Sequence, residues 1–517
     1  MLGVLDMKRM STQLNFLPGL RWLARLPRQL MMRSPFSGDI QPSRIPLFLG
    51  TSRRGVLPFP HPWNYGEPLR ILESCYWRAE TLAGSGKHNC YLEFPGIAPI
   101  LMSRDPQLIR AIATETGDGE GQFDRDKLPA VGIAYGTGKD MLLYANGAAW
   151  KRQRRIAAAP FGKTTLFQVE QFHEFEETFR HTVRQRLAAL QQFVERTVAP
   201  ARVELEPEIK VIMLEMLTNN FFGAEISYDE LRHRYVPAME RIIQRMVRDT
   251  VINLGFPSRK LPRFTRGIAQ ARDDYAAFEQ LIDLALAPRQ EGRGLWRQFK
   301  SDVPDAALRS NLKLVLAGAL EATTAYASWA IAHLARNLPA QEKAFAEVRD
   351  VESYTPESLD GATYLGNVLN ETLRLTPPLY FLPRQASVDT WVETADHRKL
   401  FIPKGTHVFL DLWNANRHED HWGVSMTGFP ASEFVPERWD NLKKQGRGSK
   451  DFLHFGFGHG PRVCPGKHLG QLEVGLVVGA FLKLFRFKAV QLDNSATAAI
   501  STKPRDNVLV ELEPRPV

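Results

Sequence analysis

The sequence predicts a mainly α-helical protein with a small β lobe, folded as one large helix-rich domain. Apolar residues recur at helical spacing through most of residues 147–375. Alternating or β-branched runs are confined to residues 91–102 and 391–411. No internal repeat and no low-complexity linker divides the chain. These three observations favour a single helical core accompanied by a few strands.

The composition is that of a folded protein in a reducing compartment. Of the 517 residues, 44% are hydrophobic and 24% are charged, which excludes a disordered, collagen-like or coiled-coil chain. The three cysteines, Cys75, Cys90 and Cys464, are too scattered for a disulfide framework and form no Cys-x-x-Cys pair. We therefore expect a cytoplasmic protein.

The net charge of +9 does not select a partner by itself. Basic residues are dispersed apart from Lys151, Arg152, Arg154 and Arg155. The chain shows no zinc-finger spacing and no signature of an RNA-binding sheet. We therefore predict that it binds no nucleic acid.

The first 60 residues are predicted to be an N-terminal arm, distinct from a domain at residues 61–517. They are basic and interrupted by prolines, without an uncharged apolar run of about 18 residues and without a signal-peptide core. Residues 14–32 mix Leu, Phe16 and Trp22 with arginines, as an interfacial helix does, although Pro18 and Pro27 would break it. Peripheral membrane contact thus stays open beside a plain surface arm, and no transmembrane span is expected.

The predicted elements follow in chain order. A hairpin at 91–102 precedes helices at 147–159, 166–193, 209–222, 237–254, 264–286, 306–337 and 365–375, strands at 391–402 and 406–411, and a last helix at 469–485. The 306–337 segment is apolar enough to suggest a membrane span, but Lys313, Glu321 and His333 interrupt it. A helix through the protein core explains it better.

The most informative stretch is residues 455–470, where one cysteine follows several glycines and precedes an apolar helix. Glycines let the backbone approach a large flat group closely. A thiol at a helix N-terminus is stabilised as a thiolate, the form that ligates soft metal centres. Cys464 is therefore a candidate metal ligand rather than a small buried hydrophobe.

This stretch contains the Phe-x-x-Gly-x-Arg-x-Cys-x-Gly pattern at every position, and the chain therefore resembles the cytochrome P450 family. The matching residues are Phe457, Gly460, Arg462, Cys464 and Gly466. The resemblance implies the cytochrome P450 fold and a haem b cofactor whose iron is bound by Cys464. It also implies that Phe457, Gly458 and Gly466 lie against the cofactor. A thiolate ligand pushes electron density onto the haem iron and thereby favours O–O cleavage.

Further matches in family order extend the resemblance from about residue 90 to the C-terminus. Glu371 and Arg374 lie at i and i+3 on one helix face. In the family such a pair forms a buried structural triad with an arginine of a Pro-Glu-Arg segment, here Arg438. A solvated surface ion pair would be the ordinary reading of such a pair in isolation.

The resemblance also implies cationic contacts with the haem propionates. Trp150 and Arg154 match the Trp-x-x-x-Arg helix of the family, and Arg384 resembles a second propionate-binding arginine. Two desolvated carboxylates need cationic, preferably forked, donors. Arg154, Arg384 and Arg462 are the candidates.

The central helix departs from the family pattern Ala-Gly-x-(Asp/Glu)-Thr. If Glu321 holds the acid position, Ala322 replaces the expected threonine. Because one helical residue is about 100° of rotation, Thr323 does not substitute for it without a local bulge. We predict that Glu321 and Thr323 act in proton delivery, with a structural Thr323 bonded back to a carbonyl as the alternative.

The resemblance implies a monooxygenase that inserts one oxygen atom from O2 into a small apolar organic substrate. The expected pocket wall comprises the loop 124–144 and the residues Tyr135, Ala319, Leu320 and Phe381. Electrons would come from a separate ferredoxin or flavoprotein reductase, which would dock on a cationic face formed by Lys151, Arg152, Arg155 and Lys467. Two rivals remain: a haem-thiolate enzyme that uses peroxide or rearranges its substrate without a redox partner, and a non-catalytic haem-binding sensor.

Overall fold

The computed structural model spans the chain and describes most of it from residue 34 onward. The described residues are 34–46, 87–93, 98–116, 121–126, 141–143, 145–158, 169–197, 200–251, 267–294, 305–354, 363–447, 456–492 and 495–515, with the single positions 69, 72, 76, 161, 162, 166 and 296. Most of the predicted N-terminal arm, including the 14–32 segment, lies outside these residues, as do Tyr135 and Cys75.

Helices supply most of the described structure. The longer ones are α1 (Pro106–Thr114), α2 (Gly147–Ala158), α3 (Val169–Glu195), α4 (Glu206–Glu215), α5 (Val236–Val251), α6 (Ile268–Leu286), α7 (Asp305–Arg336), α8 (Leu338–Val348), α9 (Tyr364–Leu375), α10 (Glu437–Lys444) and α11 (Lys467–Leu484). Short π-helical segments follow α4 at Met216–Phe221 and precede α5 at Leu231–Tyr235.

The strands are short. They are β1 (Ser37–Gly38), β2 (Ser43–Pro46), β3 (Asn89–Glu93), β4 (Ile100–Ser103), β5 (Phe123–Arg125), β6 (Ala201–Glu204), β7 (Phe381–Ala386), β8 (Thr390–Glu393), β9 (Lys399–Ile402), β10 (His407–Asp411), β11 (Phe485–Ala489), β12 (Ala496–Ala498), β13 (Thr502–Pro504) and β14 (Leu509–Pro514).

One compact unit is rich in strands. It comprises Met1–Asp126, Phe381–Ala415 and His459–Pro461. Its larger sheet has the strand order β2-β3-β4-β10-β7-β5, and a three-stranded sheet has the order β1-β9-β8. Burial alternates along β8, with Thr390 and Val392 buried and Trp391 and Glu393 exposed, as a half-buried strand requires. Asp105 caps the N-terminus of helix α1, and its side chain accepts a hydrogen bond from the Leu108 amide at 2.9 Å.

The other unit holds most of the helices. It comprises Lys127–Tyr380, Asn416–Gly458 and Arg462–Val517. Helix α7 runs through its hydrophobic core and packs against α4, α9, α11 and β13. Every residue from Thr323 to Ala332 on α7 is buried, so this helix is apolar on most sides because others surround it. Two small sheets, β11-β14-β6 and β12-β13, complete the unit.

Within the described part of the chain, one segment has the length and apolarity that a membrane-spanning helix needs. It is Leu308–Arg336 on α7, with a mean hydropathy of 1.3 and 56% of it buried inside the protein. Its packing against α4, α9, α11, β13 and other elements agrees with the prediction of a core helix.

Most predicted elements are found, with ends shifted by a few residues. The hairpin at 91–102 is the antiparallel pair β3–β4, and the predicted helices near 147, 166, 237, 264, 306, 365 and 469 correspond to α2, α3, α5, α6, α7, α9 and α11. The helix predicted at 209–222 is instead α4 followed by the π-helical segment Met216–Phe221. Part of the predicted arm is sheet, because β1 pairs with β9 and β2 pairs with β3.

Candidate functional site

Cys464 lies in a tight loop that leads into α11. The Cys464 amide donates a hydrogen bond to the Phe457 carbonyl at 2.8 Å, which closes the loop. Gly458 adopts a φ of 80°, a conformation that glycine accepts without strain. Gly460, with a φ of 68°, lies so close to Ala113 of α1 that a Cβ there would collide with its carbonyl. The glycines of the sequence pattern are therefore required by turns and close contacts.

The Cys464 side chain is solvent-accessible but deeply surrounded by protein. It is free and exposed at its surface. Burial nevertheless raises the pKa of its thiol, while the Gly466 amide and the charge of Arg154 oppose that rise. Both properties together describe a side chain that lines a recess. The prediction of a thiolate therefore needs a bound metal cation, because a coordinating thiol is deprotonated by the metal itself.

Cations from α2 and from the cysteine loop meet beside Cys464. Arg154 donates from Nη1 to the Val463 carbonyl at 2.7 Å, and burial lowers the pKa of its guanidinium although the Cys464 sulfur opposes this. Arg462 donates from Nη2 to the Ala145 carbonyl at 2.9 Å and to Asn146 Oδ1 at 2.6 Å. Its guanidinium carbon also lies 4.9 Å from the centre of the Trp150 ring. The structure thus brings Trp150, Arg154 and Arg462 together with the predicted ligand.

Arg384, the second predicted propionate contact, lies in the strand-rich unit on β7. It is 1% exposed and donates from Nη1 to the Pro383 carbonyl at 2.9 Å. Its register partners are Val408 on β10 and Arg125 on β5. A buried guanidinium in a sheet is suited to an anionic partner, and its contact with a propionate stays a prediction.

An open stripe interrupts the burial of α7. Gly318 and Ala322 are exposed and Val315 and Ala319 are partly exposed, although Leu316 and Leu320 between them are buried. Positions 315, 318, 319 and 322 follow the spacing of one helix face. A Cβ added at Gly318 would have no atom within 4 Å. This stripe presents small apolar side chains to open space, which suits a flat, bulky group beside it.

These observations fit a haem. The cysteine loop supplies a soft sulfur donor in a recess, Arg154 and Arg462 supply guanidinium donors, and the open stripe supplies an apolar surface without bulky side chains. Thiolate, cation and apolar surface are the three things that an iron porphyrin with two carboxylates requires. Cys464 would hold the iron, and the two arginines would lie nearest to the carboxylates.

Glu321 is directed into an ion cluster that is buried at Lys210 and Glu206 and reaches solvent at Glu240. Its Oε2 accepts a hydrogen bond from Ser501 at 3.2 Å, and its Oε1 lies 3.9 Å from Lys210 Nζ. Lys210 Nζ also contacts Glu206 at 2.8 Å on α4 and Glu240 at 2.5 Å on α5. Burial raises the pKa of Glu321, and Lys210 opposes that rise. For Lys210, burial lowers the pKa, but the three carboxylates outweigh it and raise the pKa above its ordinary value.

Thr323 is held by its own helix. Its hydroxyl donates a hydrogen bond to the Ala319 carbonyl at 2.9 Å, and the residue is 9% exposed. This geometry matches the structural alternative named for Thr323, a bond back to the preceding turn. Ala322, at the position of the expected threonine, carries no hydroxyl and lies on the open stripe. The catalytic role of Glu321 and Thr323 stays a prediction.

Glu371, Arg374 and Arg438 form the expected buried triad. Arg374 Nη2 lies 2.7 Å from Glu371 Oε1, and Arg438 Nε lies 3.2 Å from the same oxygen, with every side chain fully buried. The remaining guanidinium donors bind main-chain carbonyls of residues 416–433. Burial opposes the charge on Glu371, but Arg374 and Arg438 outweigh it and lower the pKa of the carboxyl. The surface-pair reading is therefore wrong for this pair.

The predicted wall residues occupy different places. Ala319 lies on the open stripe, whereas Leu320 is 1% exposed and packs in the main core. Phe381, in the strand-rich unit, is partly exposed and stacks on Phe409 with ring centres 3.9 Å apart. Tyr135 and most of the loop 124–144 lie outside the described residues.

Sequence reasoning missed several polar residues near the site. Lys210 sits inside the apolar run Ile209–Leu214, and a lone charge in such a run was the available signal. Asn311, Gln153 and Glu473 are buried and carry no local sequence signal. The partners of Asn311 and Gln153 are supplied by segments far away in the sequence.

Comparison with known proteins places these features in a family context. A family model described as Cytochrome P450 matches residues 86–510. Cytokinin hydroxylase of Arabidopsis thaliana is 26% identical over 445 residues, which cover 82% of this chain and 80% of the relative. (+)-Vincadifformine 19-hydroxylase of Catharanthus roseus is 30% identical over 227 residues, covering 42% and 41%. Ent-isokaurene C2/C3-hydroxylase of Oryza sativa subsp. japonica is 30% identical over 255 residues, covering 48% and 44%. The alignments thus span less than half the length of the last two relatives.

Proposed function

The chain belongs to the cytochrome P450 family, and from this premise we propose that it is a haem-thiolate monooxygenase acting on an apolar organic substrate with electrons from a separate redox protein. Membership agrees with the predicted fold class, mainly α with a small β lobe, and with the predicted class of enzyme, a haem-containing oxidoreductase. In the proposed reaction one atom of O2 enters the substrate and the other leaves as water, which consumes two electrons and two protons.

The observation that carries the proposal is the position of Cys464 in a recess, behind a loop closed by its own amide and beside Arg154. When bound, the haem supplies the oxidising chemistry, and the protein supplies binding, orientation and protons. We propose haem b, since the chain has no Cys-x-x-Cys-His sequence for covalent attachment.

The test is the optical spectrum of the reduced protein under carbon monoxide. The purified chain should show the red-shifted Soret band of a thiolate-ligated haem. Cys464→His should move this band to the wavelength of imidazole-ligated haems. Cys90→Ser, which changes the buried thiol of β3, should leave the band in place. A wild-type band at the imidazole position, or no haem at all, would refute the proposal.

We propose that the redox partner docks on the exposed side of α2. Lys151, Arg152 and Arg155 are exposed there, and Lys467 at the start of α11 is partly exposed. A cationic surface attracts an acidic carrier and speeds its association at low salt. Lys151→Glu should slow reduction by an acidic ferredoxin, and the loss should fade as salt is raised. Lys488→Glu, the same change on β11, is the matched control. Equal reduction rates for both variants would mean that the charges on α2 are only solvated and bind no redox partner.

We propose that Glu321 passes protons toward the open stripe and recovers them through the ion cluster. Glu240 is 37% exposed and contacts Lys210, which contacts Glu321 in turn. This arrangement gives a buried carboxyl on α7 a polar connection to solvent. Because Ala322 provides no hydroxyl, the last transfer requires a water molecule or a polar group of the substrate. The next hydroxyl along α7 after Ala322 is that of Thr323, which donates to the Ala319 carbonyl.

Two substitutions separate these roles. Glu321→Gln removes the titratable proton and should raise the fraction of electrons lost as hydrogen peroxide, with a changed pH profile of turnover. Thr323→Ala should lower coupling if its hydroxyl takes part, and full coupling in that variant would assign it a structural role. Thr324→Val, which changes a neighbouring buried hydroxyl on α7, is the matched control.

We propose that the substrate is a small, largely apolar natural product that is hydroxylated. The open stripe is lined by valine, glycine and alanine, which provide contact area but no charge. The names of the relatives describe hydroxylases acting on a cytokinin, on isokaurene and on vincadifformine, so terpenoid and alkaloid libraries are the first to screen. A substrate-induced change in the Soret band identifies binding compounds. A library in which only charged compounds bind would contradict the proposed class.

The position of Ala322 favours a second candidate, a peroxide-using or rearranging enzyme of the same family. Without a hydroxyl on the open stripe, proton delivery to O2 depends on fewer groups of the protein. Turnover with hydrogen peroxide, combined with no turnover with a reductase system, would establish this candidate. Ala322→Thr should then raise the reductase-supported rate relative to the peroxide-supported rate.

For localisation we propose the cytoplasm, with peripheral membrane contact through the N-terminal arm. The arm combines Phe16 and Trp22 with several arginines. Flotation with vesicles of anionic lipid should retain the full chain and release it at high salt. A chain that stays in the dense fraction at low salt has no such contact.

A further inference from the structure

A buried amide network links three elements of the helix-rich unit. Asn311 on α7 donates from Nδ2 to Gln153 Oε1 on α2 at 2.6 Å. Its Oδ1 accepts a hydrogen bond from the Leu142 amide at 3.0 Å. Asn311 is 4% exposed and Gln153 is 6% exposed. One side chain therefore uses its donor and its acceptor to fix two separate segments to the central helix.

The position of Asn311 places this network at the start of the open stripe. Val315, the first residue of the stripe, lies one helical turn after Asn311 on the same face. Segment 141–143, held through the Leu142 amide, therefore lies next to the surface that faces the proposed substrate. At the other end of the network, Gln153 is the buried residue between the exposed Arg152 and the partly exposed Arg154. The same side chain thus reaches both the substrate side and the helix that carries the cations.

We propose that Asn311 is a positioning residue that sets the wall of the substrate space at 141–143 and the placement of α2. This inference rests on the proposed function, because it assigns a role around the haem site. Removal of Asn311 takes one hydrogen bond from the partly buried Leu142 amide and one from the buried Gln153 Oε1, and the loss of such hydrogen bonds drives local rearrangement. Substitution of a residue that made only apolar packing contacts there would cause no such rearrangement, because it would remove no hydrogen bond.

The test compares two iron-ligating probes by their Soret shifts. Imidazole needs little more than the iron, whereas 4-phenylimidazole also needs a fitting wall. In Asn311→Leu we expect the ratio of the two dissociation constants to change about tenfold, which is about 1.4 kcal/mol. Hydrogen exchange should accelerate both at 141–146 and in α2. In Gln153→Met only α2 should exchange faster, with the ratio unchanged. Asn311→Asp keeps the acceptor for the Leu142 amide but loses the donor to Gln153 Oε1, so it should keep the wild-type ratio while α2 exchanges faster.

Leu312→Ala is the matched control, since Leu312 is the next residue on α7 and is equally buried at 4%. It creates a cavity and lowers overall stability, but it should leave the probe ratio within twofold of wild type. If Asn311→Leu does not retain haem, Asn311→Ser, whose side chain is too short for both partners, is scored instead. An unchanged ratio with haem bound, or an equal change in Leu312→Ala, overturns the inference alone. No Soret shift with imidazole in the wild-type protein overturns the proposed function.

Discussion

Glu473 gives a quantitative prediction about stability. It lies on α11, is 2% exposed, and its Oε1 has no hydrogen-bond partner among the described residues. Burial alone raises the pKa of this carboxyl from 4.5 to about 8. The folded chain therefore holds this proton more tightly than the unfolded chain does. The stabilisation is complete below about pH 4.5 and is lost as the pH rises toward the folded pKa.

The size of the effect follows from the shift. Each pKa unit corresponds to about 1.4 kcal/mol, so the raised pKa of Glu473 lowers the free energy of unfolding by about 3 kcal/mol at pH 7 and by about 5 kcal/mol well above pH 8, relative to acid pH. Glu473→Gln removes this cost but buries an amide, which costs about 1–3 kcal/mol at every pH. The variant should therefore be more stable than wild type near pH 8 and no more stable near pH 5. The difference between the two proteins should change by about 4 kcal/mol across that range.

The assay is urea unfolding of the haem-loaded proteins, followed by far-ultraviolet circular dichroism from about pH 5 to pH 8. Glu513→Gln, the same change on the exposed end of β14, is the control and should shift the two curves equally at all pH values. Parallel pH dependences for wild type and Glu473→Gln would refute the reasoning, because a carboxyl with an ordinary pKa makes no such contribution.

Three further predictions concern other buried charges. Glu371→Gln removes the carboxylate that two buried guanidiniums share, so it should destabilise the protein by about 3–5 kcal/mol. The measurement is the urea midpoint, which should fall in this variant and stay unchanged in the control Glu433→Gln. Burial lowers the pKa of His333 well below 6.5, and three nearby arginines add to this, so stability should fall as the pH drops below that value. His333→Phe keeps the stacking on Phe434 and should reduce this acid sensitivity, and an unchanged acid slope would contradict it. Lys210→Met should raise the pKa of Glu321 further, whereas Lys210→Arg should restore wild-type coupling; equal coupling in all three proteins would exclude the cluster from proton transfer.

The sequence predicted the parts of the site that local chemistry determines. The cysteine loop was predictable because Gly458 and Gly460 adopt positive φ values that other residues avoid. The Glu371–Arg374 pair was predictable from its helical spacing, and its partner Arg438 only from the family resemblance. The direction of Thr323 was left open, because a hydroxyl on a helix can bond to its own backbone or face outward.

The missed features depend on contacts between distant segments. Asn311 and Gln153 are 158 positions apart, and neither residue differs locally from a surface amide. Lys210 is recognisable as the centre of an ion cluster only when carboxylates from α5 and α7 are placed around it. Helix α8 was not predicted. Asn337 caps it and Pro339 lies in its first turn. The strands β1 and β2 are too short for alternation to be visible.

The buried arginines of the triad determine how the segment 416–433 responds to engineering. This stretch is irregular apart from two one-turn helices, Glu419–Trp422 and Val424–Thr427, and in most proteins such a stretch tolerates inserted residues. Here Arg374 and Arg438 bind its carbonyls one by one, at Asn416, Trp422, Pro430 and Ala431 among others. Lengthening it by even one residue would displace acceptors from fixed donors. Fusion tags, affinity loops and permuted termini therefore belong elsewhere on the chain.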